Sequence, residues 1–488
     1  MQYTDEIPWY SDVSRYQWLA LVIASLGWVF DVFEGQIFVS CMNEAMPSLL
    51  PDTPREDIGF YTNVTVAAFL LGGALGGIVF GMVSDRIGRT KTMIATILVY
   101  SLFTCVSAYA RTWWQLAVLR FLVALGVGGE WAVATALVAE VFPRAARARS
   151  LGIFHASSVL GTYLAIAAGV WLVNNPRFGW RGAFVIGAAP ALLTLFIRWS
   201  LHEPESWQDA RRAASQGTGD KLGRFTELFS DGRWRHTLVG VGLAAVGLAT
   251  FWGVHIYGKD LMRHEREYAF ELQMAAGNPA HVPMGAWEYW SGRRSEAVVE
   301  TDADAVAYLR DTDQEQIEYW LASYYPQMKS WEMFGMLLVT TGGGLGLLSF
   351  GPLCEKIGRR TTFLFFLLGG LATTLLVFGL PRGWTLVSDL LLVVLLGGFG
   401  FLTLGMHAGF AIYFPELFPT RLRATGGGFC FNFGRVLAGP LLVANGWIQK
   451  QFQISVEQTC LLLSSLFLIG VVLLYFAPET KDRELPEA

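Results

Sequence analysis

Apolar runs long enough to cross a bilayer recur along the whole chain, separated by short polar and basic segments. A hydrocarbon layer of ~30 Å takes about 20 helical residues at 1.5 Å rise. Twelve such runs predict membrane helices at 16–42, 60–82, 92–110, 114–139, 151–173, 180–201, 236–257, 331–353, 361–380, 386–413, 425–447 and 459–477. Between the seventh and eighth runs, residues 258–330 form a polar segment far longer than a turn.

Composition agrees with the pattern. Hydrophobic residues make up 53% of the chain and charged ones only 16%, with a mean hydropathy of +0.41, which describes an all-α membrane protein. The opening segment has neither a basic leader nor a small-residue cleavage site, so the first span is expected to stay. Lys and Arg concentrate in both tails and in the loops after even-numbered spans, which predicts a multi-pass protein of the cell membrane with both termini cytoplasmic.

The net charge of -4 gives no bias toward nucleic acid. The five cysteines fall in or beside apolar spans, so no external disulfide framework is indicated. No nucleophile with its base and no metal-ligand spacing is evident, which argues against a membrane enzyme and predicts neither cofactor nor metal. The 258–330 segment carries 13 acids against 7 bases, with many aromatics. A vestibule lid, a partner-binding surface and a passive insertion all fit it, and no protein partner is identified.

The two halves echo each other. "GMVSDRIGRT" ends the second span and "GPLCEKIGRR" the eighth, aligning Gly81, Asp85, Arg86, Gly88 and Arg89 with Gly351, Glu355, Lys356, Gly358 and Arg359. "EVFPRAAR" and "ELFPTRLR" align Glu140 and Arg147 with Glu416 and Arg423, and "EPES" and "PETK" close the halves. Ordered echoes of this kind indicate a duplicated six-span unit. The expected parts are an N-terminal bundle, 1–201; a linker, 202–235; and a C-terminal bundle, 236–488, carrying the extracytoplasmic insertion.

The repeated Gly-x-x-x-Asp-Arg-x-Gly-Arg loop resembles that of the major facilitator superfamily, over essentially the whole chain apart from the insertion. "RFLVALGVGGEW" is similar to the matching span of metabolite:proton symporters, while "EPES", "PETK" and Arg120 before a Gly-x-Gly run are similar to sugar porters. The resemblance implies two six-helix bundles rocking about a central site, with the loop motifs as a conformational latch; basic loops that merely signal topology are the alternative. It also implies that Asp31 and Arg120 are a proton-sensing pair, as at the matching positions of sugar porters.

Ionisable groups deep in a span need a role or a partner. Asp31 lies roughly 20 Å along the first span and Arg120 roughly 9 Å down the fourth from the other face, so the two share a depth. They either exchange a proton during rocking or form a static pair. Glu34, three residues on, is either a second proton site or a vestibule group. Arg435 sits near the midplane of the eleventh span, where a planar cation suits a carboxylate, with Asn432 one turn away. Glu130 either contacts substrate or bonds a neighbouring helix. His155 and His255 read as packing residues. Trp28, Phe33, Trp131 and Trp252 are candidate cavity aromatics. The expected function is proton-coupled import of a small polar metabolite, an organic acid ahead of a sugar, with a sugar transporter and a transporter-derived sensor as alternatives.

Overall fold

The computed structural model describes residues 10–11, 13–173, 175, 177–187, 189, 196–197, 200–204, 207–209, 211–212, 225–230, 232–263, 265–266, 325–380, 389–418, 423–452 and 454–481. Thirteen α-helices are used below: α1 Arg15–Leu49, α2 Arg55–Ile87, α3 Arg89–Ser107, α4 Trp113–Val141, α5 Arg144–Ala156, α6 Ser158–Ala168, α7 Gly179–Ile186, α8 Arg233–Gly253, α9 Tyr325–Ile357, α10 Arg359–Gly379, α11 Asp389–Leu417, α12 Arg423–Phe452 and α13 Val456–Phe476. Eleven helical stretches among the described residues are long and apolar enough to cross a membrane. The sixth expected span begins as α7, and most of its remainder lies outside the described residues.

Local chemistry sets the helix ends. Ser14 and Gln17 form a reciprocal capping box at the start of α1, with bonds of 3.2 and 2.7 Å. Ser455 and Gln458 repeat it at the start of α13, at 3.2 and 2.9 Å. The fifth span is broken at Ser157, where α5 gives way to α6 and then a π-helical turn, Gly169–Val173. The Ser157 hydroxyl donates to the Phe154 carbonyl at 2.6 Å, offering the local backbone an alternative partner.

Helices α1 to α7 pack largely among themselves, as do α8 to α13; α2 meets α12, and α9 meets α5 and α6. Glycine ladders bring the closest pairs together. On α2, a Cβ at Gly72 or Gly76 would lie 2.1 or 2.0 Å from the α4 carbonyls of Phe121 and Leu125, while one at Gly128 of α4 would meet Gly73 O at 1.9 Å. The second half repeats this between α9 and α11, where Gly342, Gly346 and Gly400 would meet backbone oxygens at 1.9, 2.3 and 1.9 Å. Without side chains at these points the backbones touch directly, the packing that small residues allow in membranes.

Helix extends into both ends of the expected 258–330 insertion. Beyond α8 the chain turns once as a 3-10 helix, His255–Tyr257, then continues helically to Arg263, and α9 begins at Tyr325. Residues 267–324 lie outside the described residues.

Gly76→Val or Gly346→Val is expected to cut the yield of monodisperse protein in detergent at least tenfold, because either Cβ overlaps a neighbouring backbone and overpacking typically costs about 1–3 kcal/mol or more. Gly397→Ala, whose Cβ meets nothing within 4 Å, should elute like the unsubstituted chain in size-exclusion chromatography. Equal yields for all three variants would refute the ladder.

Candidate functional site

A central cavity with about 1030 Å³ of empty space, counting its mouth, lies between the two sets of helices. Its walls come from α1, α2, α4, α5 and α6 on one side and α8, α9, α11 and α12 on the other. Trp28, Phe69, Phe251, Trp252 and Phe431 supply aromatic surface, and Asp31, Arg435, Lys259 and three histidines supply polar groups. Such a wall, mostly apolar with a few polar anchors, is what a small-molecule site requires.

Asp31 and Arg435 both line this cavity. Asp31 is 1% exposed, and neither carboxylate oxygen has a hydrogen-bond partner among the described residues. The charges acting on it are those of Glu130, Arg435 and Glu34. Arg435 lies over the Phe431 ring at 5.0 Å and donates through Nη1 to Asn432 Oδ1 at 3.1 Å. Asn432 does not line the cavity; its Nδ2 donates to Gly428 O at 2.9 Å, so it orients the guanidinium rather than meeting a ligand directly.

The expected Asp31–Arg120 pair does not form. Arg120 is buried among the rings of Phe69, Phe184 and Phe38, at 5.0, 5.5 and 5.9 Å. Its Nη2 donates to the Glu34 carbonyl, and Glu34 is the carboxylate acting on it. Glu34 in turn accepts from the Thr104 hydroxyl and faces α3 and the end of α7 instead of the cavity. Successive residues turn by 100°, so positions 31 and 34 differ by about 60° around the helix, enough to point one acid at the cavity and the other into the first bundle.

Glu130 is also turned away. One carboxylate oxygen accepts from Thr96 Oγ1 on α3, and the other sits 2.6 Å from where a Cβ on Gly27 of α1 would stand. It thus bonds α4 to α3 and packs against α1, and it is not among the residues that line the cavity. Trp131 likewise misses the cavity: its ring stacks on Phe431 at 4.1 Å, and its Nε1 donates to His155 Nδ1 at 3.5 Å. Trp28 and Trp252 do line the cavity, and Phe33 does not. Trp28 holds the broken fifth span by donating to the His155 carbonyl at 3.3 Å.

The loop motifs form two matching clusters at the end where α1 starts and α13 finishes. Arg89 pairs with Glu140 through Nη2 at 2.9 Å, and Arg359 pairs with Glu416 at 2.8 Å. Glu203 accepts from the backbone N–H groups of Arg89 and Thr90 at 2.6 and 3.1 Å. Glu479 accepts from those of Arg359 and Arg360 at 3.0 and 3.1 Å. Each carboxylate thus caps a helix N-terminus, α3 or α10. Burial acts to raise the Glu479 carboxyl, but four backbone N–H groups outweigh it and hold the group below its ordinary value. The glycines that matter are Gly88 and Gly358, at φ of +116° and +91°, where the chain turns to start the next helix.

Gly81 and Gly351 permit no close approach, since a Cβ there would meet nothing nearer than 4.0 Å. Arg86 and Lys356 are exposed. The Asp85, Arg147 and Arg423 side chains lie outside the described residues. Between the two halves at this end, Arg149 of α5 and Glu355 of α9 approach to 3.6 Å.

Three cavity or near-cavity features escaped the sequence reading. His407 lines the wall beside His155 and His255, its Nε2 3.2 Å from the Gly247 carbonyl; a lone histidine in an apolar run gave little signal. Lys259 lines the cavity, and Lys329 and Glu332 are buried beside it. These two lysines fell within the segment read as an aqueous insertion.

The sequence profile of the Major Facilitator Superfamily matches residues 33–287. The niacin transporter of Acinetobacter baylyi is 25% identical over 97% of this chain and 96% of its own length. The cis,cis-muconate transport protein of the same organism is 26% identical over 75% of this chain and 73% of its own. The xylose transporter XylE of E. coli, in a partially occluded inward-open conformation, superposes with a TM-score of 0.61 at 14% identity, covering 97% of this chain and all of that one; that likeness concerns the fold.

Glu479→Ala should lower thermal stability, since the loss of a helix-capping acceptor typically costs about 0.5–2 kcal/mol. The capping contribution is present above the usual carboxylate value and is lost as pH falls through the lowered one. The melting temperatures of Glu479→Ala and the unsubstituted chain should therefore differ at neutral pH and converge in acid; a constant gap would rule this out.

Proposed function

The chain belongs to the Major Facilitator Superfamily, and we propose that this transporter is a proton-coupled importer of a small organic acid that works by alternating access. In this reading it has twelve membrane helices in two six-helix bundles, 1–201 and 236–488, joined by the 202–235 linker. It sits in the cell membrane with both termini cytoplasmic and the segment between the seventh and eighth helices outside.

The observation that carries the proposal is that the same cavity wall holds a permanently charged guanidinium, Arg435, and a carboxylate, Asp31, whose oxygens have no hydrogen-bond partner among the described residues. A planar guanidinium matches a carboxylate in shape as well as charge. When Asp31 is ionised it competes with a substrate carboxylate for Arg435. When Asp31 takes a proton, Arg435 is released to the substrate, so proton and acid are carried together. Asn432 holds Arg435 in place, and the aromatic wall accepts the rest of the ligand. Arg120 and Glu34 support α1 against α4 instead of carrying the proton. Relatives named for niacin and cis,cis-muconate, both acids, support the choice of substrate class.

Uptake into proteoliposomes across a panel of organic acids and sugars tests this directly. An inward proton gradient should drive accumulation of an acid. Arg435→Ala should reduce initial uptake at least a hundredfold, in line with about 3 kcal/mol for a charge-assisted pair. Asp31→Asn should lose accumulation while retaining exchange of internal for external acid. Accumulation surviving in Asp31→Asn, or gradient-independent equilibration of a sugar alone, would sink the proposal.

A further inference from the structure

We propose that Lys259 contacts the substrate, and that its ion pairs lock the end of the cavity remote from the start of α1 until an anionic substrate draws it away from Glu332. The proposal rests on the organic-acid reading above for its trigger, and on the following geometry for its lock.

Lys259 lines the cavity, yet its Nζ lies 2.5 Å from Glu332 Oε1 and 2.8 Å from Asp260 Oδ1. Glu332 is fully buried. Its carboxylate also meets Lys329 Nζ at 3.3 Å, Asn43 Nδ2 at 3.3 Å and Arg263 Nη1 at 3.8 Å. Lys329, 0% exposed, reaches α1, where it lies 3.1 Å from Glu44 Oε1 and donates to the Ser40 carbonyl. One carboxylate on α9 therefore joins the continuation of α8 to the far end of α1. That end is remote from the start of α1, where Gln17 bonds the Val141 carbonyl beside the Arg89–Glu140 pair.

Three cations, Lys259, Lys329 and Arg263, face three carboxylates, Glu332, Glu44 and Asp260. In a low-dielectric interior such a cluster holds only while every charge keeps its partner. A substrate carboxylate that reaches Lys259 offers it a new partner. Asp260 is its chain neighbour and moves with it, so Glu332, on another helix, is the contact exchanged. Glu332 is then left to Lys329, and the contacts that do cross to α1, Lys329 with Glu44 and Asn43 with Glu332, are weakened at the moment the site fills. A neutral ligand of the same shape supplies no such exchange, which makes Lys259 a discriminator of charge.

The test uses the full chain with its five cysteines replaced and Val39→Cys as reporter, since Val39 lines the cavity next to Ser40. Intact cells are treated with a membrane-impermeant methanethiosulfonate in the presence of nicotinate or nicotinamide, and of cis,cis-muconate or its dimethyl ester. An acid that is taken up should speed labelling at position 39 at least tenfold, and its neutral counterpart should not. Lys259→Met should speed labelling tenfold without ligand, remove any further response to acid and raise KM for uptake; Lys259→Arg should restore slow labelling and the response. Glu332→Gln should match the ligand-free effect of Lys259→Met, which guards against one variant failing to fold.

Slow ligand-free labelling in both Lys259→Met and Glu332→Gln, at normal surface expression, overturns the lock. Uptake of an acid with no change in labelling overturns the trigger and leaves the transport reading standing. Absence of uptake for every acid removes the transport reading and the trigger with it, while the ligand-free comparison still decides the lock.

Discussion

A charge placed in hydrocarbon must find an opposite charge or a fixed dipole, or lose its ionisation, and that requirement decides which helices of this protein can be neighbours at which depth. Arg120 sits where the Glu34 carbonyl and three aromatic rings receive it. Glu130 sits where Thr96 donates and where Gly27 leaves space. Lys329 and Glu332 sit where they neutralise each other. Asp31 is different. It is buried as deeply as the others but has no hydrogen bond among the described residues, and it faces a cavity with Arg435 in its wall. In the proposed reading its partner arrives later, as a proton or through a change of conformation.

Duplication explains why the scaffold can be this permissive at its centre. The two glycine ladders hold α2 to α4 and α9 to α11 by backbone contact alone, and the two carboxylate caps pin the turns before α3 and α10. Each half is thereby fixed internally by interactions that do not involve the cavity. Contacts across the halves are more varied: α2 packs on α12 with Asn432 close against Gly77, Trp131 stacks on Phe431, Arg149 pairs with Glu355, and the cluster around Glu332 reaches α1. Rigid halves joined by exchangeable contacts are what a rocking motion needs.

Hydropathy and repetition made most of this legible in the chain itself. The spans, the paired loop motifs and the closing acids Glu203 and Glu479 all recur at matching places, and the structure gives both copies the same bonds. Depth was legible as well, because helical rise is uniform. Rotation about the helix axis was not. Asp31 and Arg120 are expected at one depth, yet the partner of Arg120 is Glu34, about 60° away from Asp31 on α1. Lys259, Asp260 and Lys329 were misread for a related reason, and their partner Glu332, just inside the eighth span, was passed over. Each counts as a water-loving residue when taken singly, and only their mutual pairing lets them lie inside the protein.

The two ends of the cavity are consequently held by bonds of unlike character. Arg149 and Glu355 are each nearly half exposed and 3.6 Å apart, a contact that water screens and that contributes roughly 0–1 kcal/mol. The cluster that reaches α1 through Lys329 and Glu332 is closed to water at Lys259, Lys329 and Glu332, so it is strong while complete and fails sharply once a partner is exchanged. A weak, solvated contact can open on thermal motion alone, whereas a buried ionic one opens when a competing charge arrives. In the proposed reading, an anion in the cavity acts on the second kind and leaves the first untouched. That difference gives a transporter built from two similar halves a reason to open one end before the other.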